Sequence, residues 1–295
     1  MFCLMSNKIM KEKYDSTITI VTAFFDIGRG NLQSKEELPD YMTRTNDTYF
    51  EYFSNLATLD NPMVIFSDNE HIERIKKLRG NKPTQIIPFN INKFEKTLLR
   101  IQEIQNSKEF KSKVRPDLLK NIEYWNHKYV LVTNLKSYFV NKAIKDGLVH
   151  TGLVSWIDFG YVRDLDTLNN IKKWKYHFSE DKIHFFTIKN NHVLNKSSDV
   201  YHAIFNNIVF VIGGAIVSHK KNWNLFFKAN LSSQKLLLKN NIVDDDQGVF
   251  LMTIIKEKDK FKFNYLGKDK WFHIFKKFDE TAKVSLKERI KDFFL

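Results

Sequence analysis

The stretch ITIVTAFF, residues Ile18–Phe25, is an unbroken run of apolar, β-branched and aromatic residues with two threonines. It ends at a polar loop that contains two glycines, Asp26-Ile27-Gly28-Arg29-Gly30-Asn31. A continuous run of this length is typical of a strand that is buried on both faces of a parallel sheet. The glycines let backbone N–H groups approach a phosphate, and Arg29 can bind the phosphate through two parallel hydrogen bonds. The stretch therefore predicts an α/β fold whose first strand ends at a candidate anion-binding loop.

Further strand-like runs alternate with segments of helical period along the chain. The predicted strands are Met63–Phe66, Gln85–Phe89, Leu153–Ile157, Lys182–Ile188, Ile208–Val217 and Phe261–Leu266. The predicted helices are Asn46–Leu59, Asn92–Lys111, Asp117–Lys145 and Asp244–Lys256. This alternation predicts a single domain built on a mostly parallel sheet with helices on both faces. In such a sheet a ligand lies beyond the carboxyl ends of the strands, so the loops there are the candidate site.

Composition excludes several other classes of protein. The 295 residues are 43% hydrophobic, which is enough to bury a large core and excludes general disorder. Cys3 is the single cysteine, so an intrachain disulfide or a cysteine zinc cluster is excluded. No apolar run approaches the ~20 residues of a membrane span, and a cytoplasmic protein is expected. The net charge of +13 is compatible with binding to nucleic acid, to an anionic membrane or to a phosphate-bearing substrate, and it does not distinguish among them.

Three later segments carry candidate chemistry. Asp158 is the first polar residue after the apolar strand Leu153–Ile157, where a carboxylate can bind a divalent cation or cap the following turn. Gly213 and Gly214 interrupt an apolar run, which indicates either close approach of a ligand or tight packing. The acidic run Asp244–Asp246 stands at a predicted helix start, where it can supply a general base or a solvated cap.

Five short segments together resemble the WlaTC/HtrL (YibB-like) family of bacterial proteins assigned to glycosyltransferases of the GT-A type. They are TAFFDIGRG (Thr22–Gly30), YFEYFSNLA (Tyr49–Ala57), DNPMVIFSD (Asp60–Asp68), YWNHKYVLV (Tyr124–Val132) and VSWIDFGYVR (Val154–Arg163). The resemblance extends over nearly the whole chain. It implies a GT-A-like domain at residues 17–278 that transfers a sugar from a nucleotide-diphosphate donor to a hydroxyl of a bacterial surface glycan precursor, such as lipooligosaccharide, lipopolysaccharide or capsule.

The resemblance also assigns roles to individual residues. It implies that the donor is bound by Thr22, Ala23, Phe24, Arg29, Lys128, Asp158, Gly213, Gly214 and Lys268. A divalent metal, manganese or magnesium, would lie on Asp158 and His273, although Gly160 stands where the usual second carboxylate would be. The alternative is a metal-free site in which Arg29, Lys128 and Lys268 neutralise the leaving group. If the reaction inverts configuration, Asp246, with Asp245 as the alternative, would be the catalytic base. If it retains configuration, the same carboxylate would position hydroxyls of the acceptor or of the sugar.

The two ends of the chain are expected to lie outside the catalytic domain. Residues 1–16 are polar and predict a flexible tail. Within residues 279–295, the stretch Val284–Leu295 alternates basic and apolar residues, which predicts a basic amphipathic helix for this end of the chain. Such a helix can touch the inner membrane face near a lipid-linked glycan acceptor, or it can dock on its own core.

Two rival functions remain open at this stage. A nucleotidyltransferase that acts on sugar phosphates would use a similar sheet, but it usually has a longer glycine-rich loop than Gly28-Arg29-Gly30-Asn31. A non-enzymatic nucleic-acid-binding protein would explain the positive charge. It would also need aromatic residues exposed for stacking, whereas the aromatics here follow the periods of a core, so no nucleic-acid partner is expected.

Overall fold

The computed structural model describes residues 16–29, 44–189 and 194–282. The strands of this part of the chain form one seven-stranded sheet with the order β3-β2-β1-β4-β6-β5-β7. In chain order they are β1 (Ile18–Phe24), β2 (Met63–Ser67), β3 (Thr84–Pro88), β4 (Leu153–Ile157), β5 (Ile183–Thr187), β6 (Ala215–His219) and β7 (Phe261–Tyr265). The α/β class and the single domain predicted from the sequence are confirmed.

Helices cover both faces of the sheet. In chain order they are α1 (Asn46–Leu56), α2 (Ile72–Arg79), α3 (Glu95–Asn106), α4 (Lys108–Lys113), α5 (His127–Asn134), α6 (Lys136–Lys145), α7 (Ser197–Phe205), α8 (Trp223–Lys239), α9 (Asp246–Lys256) and α10 (Ile274–Lys277). On β1, Val21 and Ala23 join a hydrophobic cluster with α3, α5, α6, α8 and α9. Ile18 and Ile20 join a second cluster, on the opposite face, with α1, α2 and α10. Every residue of β1 is buried, as the continuous apolar run predicted.

One strand runs against the others, and this reversal shapes the edge where a ligand is expected. β6 is antiparallel to its neighbours β4 and β5, whereas the other pairs are parallel. An antiparallel strand begins at the edge where its neighbours end. The residues before β6 therefore meet the residues after β4, and the Asp158 amide donates a hydrogen bond of 2.9 Å to the Gly214 carbonyl.

Three predicted segments differ from the structure. The strand expected at Ile208–Val217 begins only at Ala215, because residues 208–214 form an irregular segment with a turn at the two glycines. The helix expected at Asp117–Lys145 is divided, and α5 starts where the Asn126 side chain accepts a hydrogen bond of 2.9 Å from the Tyr129 amide. The helix expected at Asn92–Lys111 is divided at Ser107, whose hydroxyl accepts from the Phe110 amide and starts α4.

The predicted ends of the chain lie mostly beyond the described residues. Of the tail predicted for residues 1–16 only residue 16 is described, and of the helix predicted for 279–295 only residues 279–282. None of the helices within the described ranges has both the length and the apolar character that crossing a membrane requires.

Candidate active site

A cavity of about 740 Å³ lies at the carboxyl ends of β1 and β4. This is the edge where a mostly parallel sheet is expected to bind its ligand. The strands contribute Ala23, Phe24 and Trp156 to its wall, and Asp158 follows directly after β4. The turn before β6 and the start of α9 complete the same wall, with Gly213, Gly214, Asp245 and Asp246.

At the base of this wall a lysine joins two carboxylates. The Lys136 ammonium lies 2.7 Å from Asp158 Oδ1 and 2.7 Å from Asp246 Oδ2. It also donates a hydrogen bond of 2.9 Å to the Gly213 carbonyl. Lys136 is only 4% exposed, so its charge is shielded from water. Burial opposes the charged form, but Asp158 and Asp246 outweigh it and hold the pKa of Lys136 above its ordinary value.

Local structure fixes each member of this group. Lys136 is the first residue of α6, a helix that packs on β1 and β4. Asp158 Oδ1 accepts a second hydrogen bond, 2.7 Å from Trp156 Nε1. Asp246 opens α9, whose cap is Asp245 accepting from the Gln247 amide at 2.9 Å. The carboxylate of Asp246 reaches its place because residue 213 has no side chain.

The acidic residues beside the cavity hold their protons more tightly than ordinary carboxyls do. Burial raises the pKa of Asp246 above 3.8, Lys136 opposes that rise, and Asp158 adds to it. The pKa values of Asp244 and Asp245 are raised further, first by burial and then by the carboxylate next along the chain. Carboxyls of raised pKa are suited to proton transfer near neutral pH.

The raised pKa of Asp244 predicts a measurable effect of pH on stability. Above the ordinary carboxyl pKa of 3.8 the folded chain keeps a proton on Asp244 that the unfolded chain has lost. The free energy of unfolding therefore falls as the pH rises towards the folded pKa, by about 1.4 kcal/mol per pH unit for one such group. Asp244→Asn removes this slope, while the amide oxygen can still accept the Gly248 N–H bond of 2.9 Å. Urea unfolding of both proteins from pH 4.5 to 8 measures the difference, and equal slopes would contradict the assignment.

The cavity lining also contains basic and aromatic residues. Arg29, Arg44 and Arg163 are the arginines of the lining. Arg29 donates to the Tyr49 hydroxyl, and its guanidinium carbon lies 5.6 and 5.5 Å from the ring centres of Tyr49 and Tyr129. The guanidinium of Arg163 lies 4.3 Å from the Tyr52 ring centre. Burial, and then the nearby charge of Arg44, lowers the pKa of Arg163.

The structure brings together most, but not all, of the residues that the sequence singled out. Those that line the cavity are Ala23, Phe24, Arg29, Asp158, Gly213, Gly214, Asp245 and Asp246. Thr22 is fully buried within β1 and is not part of the lining. Lys128 and Lys268 are exposed and lie outside the lining, and so does the partly exposed His273.

Sequence reasoning missed Lys136, Arg44 and Arg163. A signal for Lys136 did exist, because it shares a helical stripe with the buried residues Phe139, Val140 and Ala143. A lysine at an apolar position of a helix requires a buried partner, since an unpaired charge is costly there. The two arginines carry no comparable signal in the sequence, because they come from loops whose course only the fold determines.

The residues around Asp158 do not fit the divalent metal that the resemblance implies. Asp158 Oδ1 already binds Lys136 and Trp156. A side chain at Gly160 would place its Cβ 2.9 Å from Tyr49 Cδ1, so a second ligand there has no room. Within the described ranges, three side chains of metal-binding type, Asp68, Glu70 and His71, do have ligand atoms within 4.8 Å of one another, but none of them lines the cavity.

Comparison with known proteins identifies the family. Residues 16–280 match the family model described as "Bacterial protein of unknown function (HtrL_YibB)". The chain belongs to the HtrL/YibB family. Protein HtrL of Escherichia coli (strain K12) is 46% identical over 279 residues, which cover 94% of this chain and 98% of HtrL. The family predicted from the five sequence segments is confirmed.

Solved structures similar to this HtrL/YibB chain are distant in sequence. One is the apo-form glycosyltransferase GlyE of Streptococcus pneumoniae TIGR4, with 10% identity, a TM-score of 0.41, and coverage of 84% of this chain but 45% of GlyE. Another is mouse xyloside xylosyltransferase 1, with 11% identity, a TM-score of 0.42 and 84% of both chains. A third is the inositol-1-phosphate CTP transferase of T. maritima, with 8% identity, a TM-score of 0.42, and 86% and 87% of the two chains. The transferase activities in these names belong to those three proteins.

Proposed function

We propose that this chain is a glycosyltransferase that moves a sugar from a nucleotide-diphosphate donor to a hydroxyl of a bacterial surface glycan precursor. The observation that carries the proposal is that one cavity is lined both by arginines and by carboxylates paired with a buried lysine. A nucleotide sugar needs both kinds of group, because its diphosphate is anionic and its sugar offers hydroxyls that donate hydrogen bonds to carboxylates.

In the proposed reaction an acceptor hydroxyl attacks the anomeric carbon of the donor sugar. The bond from that carbon to the diphosphate oxygen breaks, and its electron pair leaves with the diphosphate. Asp246 accepts the hydroxyl proton as general base. Lys136 keeps Asp158 as an ionic partner after Asp246 becomes neutral, so the charge of the lysine stays balanced throughout the step.

Asp246 is favoured over Asp245 as the base by its surroundings. Asp246 is 3% exposed and is fixed by Lys136, whereas Asp245 Oδ1 accepts the Gln247 amide and caps α9. A fixed carboxylate loses less entropy when it aligns with the acceptor hydroxyl.

The acceptor is proposed from the resemblance to the WlaTC/HtrL family. That resemblance implies a hydroxyl of a bacterial surface glycan precursor, which is either a free glycan or a lipid-linked glycan.

The proposal is tested with a panel of UDP-, GDP- and dTDP-sugars, with CMP-sugars as controls that lack a diphosphate. Thermal unfolding of the whole chain reports binding, because a ligand at 100 times its Kd stabilises a protein by about 2.7 kcal/mol. Release of nucleoside diphosphate with or without added bacterial glycan lipid extract reports turnover. Stabilisation and release by one nucleotide class are expected. The proposal would be contradicted if no diphosphate sugar caused either stabilisation or release.

Asp246→Asn is expected to slow transfer by about 100- to 10,000-fold, the usual contribution of a positioned base. Donor binding should change little, because the amide has nearly the size and shape of the carboxylate that it replaces beside Lys136. Asp245→Asn is the matched comparison, since it alters the neighbouring residue of the same wall and should cost much less. Turnover and the Kd for the donor, both measured for the two variants, separate the roles. Transfer at the parent rate in Asp246→Asn would exclude this residue as the base.

A further inference from the structure

The buried lysine is not available to hold the leaving diphosphate. The Lys136 ammonium lies 2.7 Å from a carboxylate oxygen of Asp158 and 2.7 Å from one of Asp246, and it donates a hydrogen bond of 2.9 Å to the Gly213 carbonyl, so these three groups surround it. One lysine between two ionised carboxylates also leaves this group with a net negative charge. The group can orient hydroxyls, but it repels a diphosphate, so the positive charge that this leaving group needs must come from another part of the cavity.

The arginines of the cavity lining can supply that charge. Within the described residues, neither Arg44 nor Arg163 has a carboxylate oxygen within 4.0 Å of its guanidinium. Arg163 is held between the rings of Tyr52 and Phe272, whose centres lie 4.3 and 5.1 Å from its guanidinium carbon. Its Nη1 is buried and, in this part of the chain, without a hydrogen-bond partner. Stacked guanidinium groups lose little freedom on binding, and they match phosphate oxygens through paired N–H bonds.

Repulsion between two of these arginines supplies a second argument. Burial and then the charge of Arg44 lower the pKa of Arg163 below its ordinary value, so the two cations repel each other. Arg29 lies against Tyr49, and Tyr49 also lies beside Gly160, two residues after Asp158 in the chain. An anion among the three arginines would relieve the repulsion and lie beside the carboxyl end of β4.

We infer that Arg29, Arg44 and Arg163 bind the donor diphosphate directly, and that they take the place of a divalent cation in this site. The inference rests on the proposed transfer from a nucleotide-diphosphate donor. The bond that breaks and the proton that is transferred are the same as in the reaction proposed above. The arginines neutralise the charge that develops on the departing diphosphate oxygen, a task for which donors fixed in advance are effective.

The test is isothermal titration calorimetry of the full chain with UDP, GDP, CDP and dTDP, each in EDTA and again with manganese chloride. At least one nucleotide is expected to bind in EDTA, with an affinity that manganese changes by no more than about threefold. Arg163→Met and Arg44→Met should each weaken that binding by about 10- to 100-fold, the loss expected for a charged hydrogen bond. Arg74→Met is the control, because Arg74 is exposed, pairs with Asp47 and does not line the cavity.

The matching nucleoside monophosphate separates recognition of the diphosphate from a structural effect. Each cavity variant should lower the preference for diphosphate over monophosphate, whereas a general distortion would weaken both alike. Thermal unfolding without ligand confirms that the variants are folded. Binding that appears only with manganese, or unchanged affinity in Arg163→Met and Arg44→Met, overturns the inference and leaves the proposed function standing. No binding of any nucleoside diphosphate under either condition overturns both.

Discussion

Lys136→Met is expected to lower the free energy of unfolding by about 3–5 kcal/mol, the usual cost of removing one partner from a buried ion pair. The substitution leaves the carboxylate of Asp246 buried beside that of Asp158, with no cation between them. It also removes the donor to the Gly213 carbonyl. Transfer should be lost as well, because Asp246 would then bind a proton or move away from the acceptor. Urea unfolding and donor turnover measure the two effects.

A lysine on the same helix supplies the control for this experiment. Lys142 pairs with Asp146 at 2.7 Å on the partly exposed side of α6, so Lys142→Met should cost no more than about 0.5 kcal/mol. Adding Asp246→Asn to Lys136→Met removes the uncompensated charge and should recover part of the lost stability. Parent-like stability in Lys136→Met, or no recovery in the double variant, would mean that the ion pairs do not stabilise the fold.

Gly213→Ala is expected to reduce transfer by about 100-fold or more, as a shift of about 1 Å in a catalytic group can. A Cβ on residue 213 would lie 1.9 Å from Asp246 Oδ2, so the carboxylate or the turn has to move. Stability should fall less than in Lys136→Met, by about 1–3 kcal/mol, which is typical of an overpacked site. Turnover and thermal unfolding, measured together, report both effects.

Gly152→Ala is the matched glycine substitution. Its added Cβ would have His219 Nε2 at 3.4 Å as nearest neighbour, which is close to ordinary van der Waals contact. This variant should therefore fold and function like the parent. If Gly213→Ala also retains full turnover, Asp246 has freedom to move during the reaction, and its fixed position would not be part of the mechanism.

Much of the fold was predictable from periodicity. Leu153–Ile157 matches β4 residue for residue, because the apolar run lies between Gly152 and the polar Asp158, which mark its two ends. The run Ile208–Val217 was wrongly predicted to be strand from its first residue, although β6 begins only at Ala215. Apolar residues also line the cavity, as Val209 and Ile212 do, and hydrophobicity alone does not distinguish a strand from a buried irregular segment. The longest helix, α8, was not predicted from the sequence.

The site was predictable in parts but not as an arrangement. Asp158, Gly213 and Asp246 were each selected from their own segments, and the structure places them together. The lysine that joins them was not selected, because Lys136 is one of 47 basic residues that are scattered along the chain. Lys128, eight residues earlier, was chosen instead. It is exposed, because the predicted helix is divided and α5 presents a different side to the core than α6 does.

The reversed strand β6 also has a consequence for how the chain is synthesised and folded. β4 pairs with β1 on one side and with β6 on the other, and β6 emerges from the ribosome only after β5 and α7. Until then the second edge of β4 carries unpaired N–H and C=O groups, which other chains can pair with. Pairings between distant segments also form slowly, since loop closure precedes any gain from the contact. A growing chain therefore passes through a period in which the strand that precedes Asp158 is exposed to aggregation, and a chaperone that protects this edge would act during that period.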